Sequence, residues 1–249
     1  MTKRDDYRQH LRRLEEWDSF LLNESGLPGA RANLELAQAV ADEGDEQLFR
    51  RYIAYGADSA PTNSPQEFLA FCGVLGLGRL LAEGRAEVMQ SIRPFASDVR
   101  WRLREAVAMS LQRLGAADMP ALMHEMQIWS GGSPLEKRAA AAALCEPGLL
   151  QSEQVANAVL QILDSITHSI QSMPGRRSQA FKALRKGLGY CWSVAVAAAP
   201  EAGKSFFEKW MASDDKDIRW IMKSNLRKKR LARMDPEWVS QCQLLLGMN

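Results

Sequence analysis

The chain has 249 residues, with 32 Lys and Arg against 30 Asp and Glu, a formal net charge of +2, 46% hydrophobic and 25% charged residues. This is the balance of an ordinary folded protein, and it excludes both a disordered polyelectrolyte and a global field that draws the chain to nucleic acid or membrane. The longest apolar run, 187–199, is shorter than the roughly 20 residues a bilayer span requires, and the N-terminus MTKRDDYRQH lacks the apolar core of a signal peptide.

In chain order, Tyr7, Leu11, Leu14, Trp17 and Leu21 recur at spacings of three and four, so residues 3–22 read as one helix with a single apolar stripe. Gly26, Pro28 and Gly29 mark a turn, and a second helix fits 31–43 up to Gly44. Asp45 is placed to cap a third, which carries Leu48, Tyr52 and Ile53. After the polar stretch ADSAPTNS, Ser64, Pro65 and Glu67 form a capping-box start with proline at the first helical position. The helix they open contains Gly73, Gly76 and Gly78. Each interior glycine costs about 1 kcal/mol relative to alanine, which predicts close helix–helix contact there. A phosphate loop would need a preceding strand and a Lys-Ser/Thr pair, and GVLGLG has neither.

A short helix around 87–92 and a break at Pro94 precede a helix over 98–115. Helix pairs then follow at 118–129 with 134–145, 152–172 with 178–199, and 201–212 with 215–233. Asp235 and Pro236 start a last helix. No segment alternates with the β-branched enrichment of a strand. Paired antiparallel helices joined by short turns predict an all-α helical-repeat solenoid spanning 1–249, with 1–60 as an N-terminal helical cap and 61–249 as the repeated pairs.

An internal echo supports the repeat. Asp98, Arg100, Trp101, Leu103 and Arg104 correspond to Asp217, Arg219, Trp220, Met222 and Lys223. The segment Asp98, Leu103, Arg104, Ala106, Ala108, Leu111, Leu114 and Gly115 resembles the second helix of a HEAT repeat, with Pro94 resembling the proline of the first. The stretch from Asp217 to Lys223 is similar at its start, and KRAAAAAL at 137–144 is a third copy without the Asp. That resemblance implies a non-catalytic scaffold binding a protein partner. Overall size, helical pairing and basic C-terminal helices are also similar to the bacterial alkylpurine DNA glycosylases, though their catalytic Trp-Asp segment has no counterpart here. The resemblance implies nucleic-acid binding as the alternative function. In such repeats the Asp caps a helix and the Arg bridges neighbours.

Candidate chemistry is sparse. His10, His124 and His168 stand apart, and His124-Glu125 lacks the second His of a helical zinc site. Cys72, Cys145, Cys191 and Cys242 lie in apolar contexts with no Cys-x-x-Cys pair and read as reduced packing residues of a cytoplasmic protein. There is no Gly-x-Ser-x-Gly elbow, and nothing selects an acid/base pair, so no catalytic residue, metal ligand, cofactor or small-molecule substrate is assigned. Asp98/Trp101 and Asp217/Trp220 are each spaced to share one helix face, the nearest approach to a carboxylate beside an aromatic plate.

The binding candidates are cations. Five occur from Arg176 to Lys186 and seven from Arg219 to Arg233, with no acid in either stretch. On one continuous helix Arg219, Lys223, Arg227 and Arg230 fall within about 80° of arc, where an anionic partner relieves their mutual repulsion. Arg176, Arg177, Lys182, Arg185 and Lys186 extend the patch if the two helices are neighbours. Such a surface contacts phosphates rather than reading bases.

Overall fold

Helix starts in this protein are set by side chains that satisfy the first free backbone N–H groups. In the computed structural model, which describes residues 2–248, Asp45, Ser64, Ser133, Ser152, Ser178 and Asp235 each accept a hydrogen bond from the backbone N–H three residues on. Proline follows the cap directly at Pro65, Pro134 and Pro236. Every described element is a helix or turn; there is no strand among the described residues. No helix among them is long and apolar enough to cross a membrane.

The chain divides into two compact units, Met1–Asp118 and Met119–Asn249. The first contains α1 (Lys3–Leu11), α2 (Asp18–Glu24), α3 (Leu34–Glu43), α4 (Glu46–Ile53), α5 (Pro65–Ala82), α6 (Met89–Ile92) and α7 (Trp101–Ala117). Its centre is α5, which buries 14 of 18 residues and packs against α2, α3, α4 and α7. The glycines make this possible. A Cβ on Gly76 would fall 2.2 Å from the Phe49 ring, and one on Gly78 would fall 2.4 Å from the Cβ of Ser110. Close packing of α4 and α7 thus offsets the helix-propensity cost of about 1 kcal/mol per glycine.

One expected element divides. Residues 3–22 form two helices, because the Trp17 indole N–H donates to the Leu11 carbonyl (3.0 Å) and ends α1 there. Leu11 and Leu21, both from the expected stripe, remain fully buried. The Ser64 cap also differs in detail: Glu67 does not reach back to the cap but accepts from the N–H of Asn63 (2.8 Å). Its carboxylate, fully buried, pairs with Arg102 at 3.1 Å.

The second unit contains α8 (Met119–Ser130), α9 (Pro134–Leu144), α10 (Glu153–Ile170), α11 (Gln179–Ala198), α12 (Pro200–Met211), α13 (Lys216–Leu226), α14 (Lys229–Met234) and α15 (Pro236–Leu245). Within it α9, α11 and α13 touch in sequence, α8, α10 and α12 touch in sequence, and α8–α9, α10–α11 and α12–α13 contact each other. The helix expected over 215–233 is interrupted at Arg227–Lys228, where Lys228 adopts extended backbone and its N–H bonds to the Asn225 carbonyl. The cause is Asn225. Fully buried, it donates to the Leu188 carbonyl (2.9 Å) and accepts from the N–H of Ser193 (2.8 Å), which fastens the end of α13 to α11.

Candidate functional site

The expected cationic stretches meet where α11 packs on α13. Gly189 on α11 permits the approach: a Cβ there would lie 3.0 Å from both Cζ3 of Trp220 and Oγ of Ser224. Trp220 keeps 39% of its surface exposed, and Tyr190, the residue after Gly189, keeps 44%. Cations lie over both rings. The Arg185 guanidinium is 4.6 Å from the Trp220 centroid, while Arg230 and Lys228 are 4.8 and 5.7 Å from that of Tyr190. Each contact is worth about 0.5–1 kcal/mol at an exposed site.

Two of the predicted anion-binding cations are employed in holding the fold. Arg176 donates to the Ile170 and Gln171 carbonyls at the C-terminal end of α10, and to Asp215 (2.6 Å) at the start of α13. It joins the negative end of one helix dipole to a cap at the positive end of another. Arg185 donates to Asp217 at 2.6 Å, which also takes a longer contact of 3.4 Å from Arg176. Burial alone would raise the Asp215 carboxyl. The Arg176 bond and the N–H groups of Asp217 and Ile218 outweigh it and hold Asp215 below its ordinary value.

Six of the others are free of such duties. The side chains of Arg177, Lys182, Lys186, Arg219, Lys223 and Arg227 make no ion pair or hydrogen bond to the described residues. On α13 and its C-cap, Lys216, Trp220, Lys223 and Arg227 fall within about 60° of arc, with Arg219 about 40° beyond Lys223. On α11, Lys182, Lys186 and Tyr190 follow each other at four-residue steps. The interruption at Arg227–Lys228 removes Arg230 from the expected four-cation line and sets it against the Tyr190 hydroxyl instead. Tyr190 is not among the residues expected at the site, and Lys228, counted in the Arg219–Arg233 stretch, has no place in its expected line. The signal for Tyr190 was present in its register with Lys182 and Lys186; that for Lys228 was not, since it depends on the helix interruption.

The carboxylate–tryptophan pairs are not equivalent. Asp98 precedes α7 and lies outside it, so it shares no helix face with Trp101; it accepts from the backbone and guanidinium of Arg100. Arg100, 2% exposed, also donates to the Tyr55 and Ala60 carbonyls and ties the 55–60 loop to α7. Asp217 does lie on α13 with Trp220, but it is buried and occupied by Arg185 and Arg176. The first unit also has an apolar cleft of about 450 Å³, lined by Leu34, Phe71, Trp101 and Met109 with Arg31 and Arg102 among its polar residues. Trp101 there is 45% exposed beneath Arg102.

Among the described residues no three His, Cys, Asp or Glu side chains are grouped to hold a metal ion. Compared with protein-family models, with curated proteins and with solved structures, the chain matches none.

Proposed function

We propose that this chain is a non-catalytic interaction module, built as a HEAT-like helical repeat, that binds nucleic acid through the basic face of its second unit. The repeat reading is supported by the two rows of helices there, α8–α10–α12 and α9–α11–α13, cross-linked in pairs as a stacked solenoid requires. The function rests on one observation: Lys182, Lys186, Lys223 and Arg227, without internal partners, flank two exposed aromatic rings on one packed helix pair. A purely solvated face accounts for the cations and for the covered parts of Tyr190 and Trp220, but not for the area of both rings that stays open to solvent. A protein partner is the second reading, favoured by the apolar cleft of the first unit with its exposed Leu34 and Trp101.

Salt dependence separates the two. Phosphate contacts release counterions, so the logarithm of affinity falls with the logarithm of salt by about 0.9 per neutralised phosphate on duplex and about 0.7 on single strands. Fluorescence anisotropy with labelled oligonucleotides from 50 to 300 mM salt is expected to give a slope of two or more phosphates. The Lys182, Lys186, Lys223 and Arg227 quadruple alanine variant is expected to lose most of that slope while keeping its helical circular dichroism. Absence of binding at 50 mM salt overturns the reading.

A further inference from the structure

Resting on that reading, we infer that the basic face takes a single strand in preference to a duplex, with Tyr190 and Trp220 as two stacking platforms for unpaired bases. The cations alone do not distinguish the two forms, since both present phosphates. The rings do. An aromatic side chain binds nucleic acid by presenting its face to a base, and in a duplex the base faces are covered by their neighbours in the stack. Exposed rings embedded in a cationic face thus gain nothing from a closed duplex and gain a contact for each unpaired base.

Three features of the site support this. First, both rings reach solvent: Trp220 and Tyr190 are 39% and 44% exposed, whereas Trp129 and Trp192 of the same unit are fully buried. Second, charge lies beside each ring. Arg185 is placed over Trp220, and Arg230 and Lys228 over Tyr190, so a base stacks on the ring face opposite the cation or on the guanidinium plane itself, with its phosphate close to that charge. Third, both rings belong to the same packed helix pair. Trp220 lies over the backbone of Gly189, and Tyr190 is the next residue. A side chain at 189 would push between α11 and α13 and separate them.

The test compares a fluorescein-labelled single strand with the duplex of the same sequence, at one salt concentration, against the parent protein and two variants, Tyr190→Leu and Trp220→Leu. Leucine keeps an apolar side chain but removes the π face. The parent is expected to bind the single strand more tightly. Each leucine variant is expected to weaken single-strand binding about 5- to 100-fold, a larger loss than on duplex, with the salt slope retained. Tyr190→Phe and Trp220→Phe keep a stacking face and are expected to retain most of the affinity, which guards against a folding defect. Equal or tighter duplex binding, or leucine variants that bind single strand as the parent does, overturns the inference and leaves the nucleic-acid reading standing. Polyglutamate competing as well as an unlabelled single strand shows that the face recognises charge alone and also overturns it. No binding to either oligonucleotide overturns both together.

Discussion

A Cβ added at Gly78 would meet the Ser110 Cβ at 2.4 Å and its Cα at 2.5 Å, so α5 and α7 would have to separate to admit a methyl group. Rotation of Ser110 does not relieve this, because it moves neither Cα nor Cβ, and the buried hydroxyl shares its one proton between the Val74 and Ala106 carbonyls. Alanine favours a helix over glycine by about 1 kcal/mol, but overpacking a filled core costs about 1–3 kcal/mol. Gly78→Ala is therefore expected to lower the unfolding free energy, and urea denaturation measures it; a stabilised variant contradicts the close packing. The need for tight contact at these glycines was legible in the sequence, since three in one apolar helix demand a compensating contact. Their partners were not, because nothing local says whether Phe49, Tyr52 or Ser110 sits opposite. Glu67 shows the same limit. Its position three residues after Ser64 predicts a capping box, yet the carboxylate turns to Asn63 and to Arg102, a residue 35 positions away.

At the scale of the helix, the first turn of α13 shows what a repeated sequence pattern does and does not carry over. Asp215 caps that helix and is bonded to Arg176, so its folded-state pKa lies below the ordinary 3.8. A depressed carboxylate stabilises the fold fully above its unfolded value, and that contribution is lost as pH falls through 3.8 toward the lower folded value. Asparagine caps a helix about as well but carries no charge. The stability difference between the parent and Asp215→Asn is therefore expected to narrow as pH falls from 5 toward 2, as followed by urea titrations; a difference independent of pH would show that the ion pair contributes nothing. The echo between 98–104 and 217–223 marked two helix starts, but the tryptophan expected to pack at each stays substantially exposed. It did not carry the roles. Arg100 is buried against the carbonyls of the 55–60 loop, whereas Arg219 is half-exposed without a partner. The matching aspartates differ as well, one preceding its helix and one inside the first turn. Such roles depend on which loop packs alongside, and that is a long-range property.

For the molecule as a whole, the all-α class and most helix boundaries followed from caps and periodicity, while the division at Asp118–Met119 had no composition shift to announce it. The four cysteines offer a probe of both units. All are buried. Burial pushes the thiols of Cys72 and Cys145 well above the usual value, and that of Cys242, beside Glu208 and Asp235, to about 11. The thiolate is the reactive form, so native protein at pH 8 is expected to label slowly with a thiol reagent. In rising urea, Cys72 reports on the first unit and the other three on the second. A thiol that reacts within mixing under native conditions contradicts this packing.

The interruption after Leu226 decides how the charge of the proposed binding face is laid out. Had the helix continued, its cations would form a rail along one axis, suited to a strand running parallel to it. Because Lys228 and Arg230 fold back over Tyr190 of α11, the charge spreads sideways across two helices. On the proposed nucleic-acid reading, a strand would run transversely, and neighbouring helix axes are only about 8–10 Å apart. The footprint is accordingly short, and lengthening an oligonucleotide beyond it adds phosphates that this face does not reach.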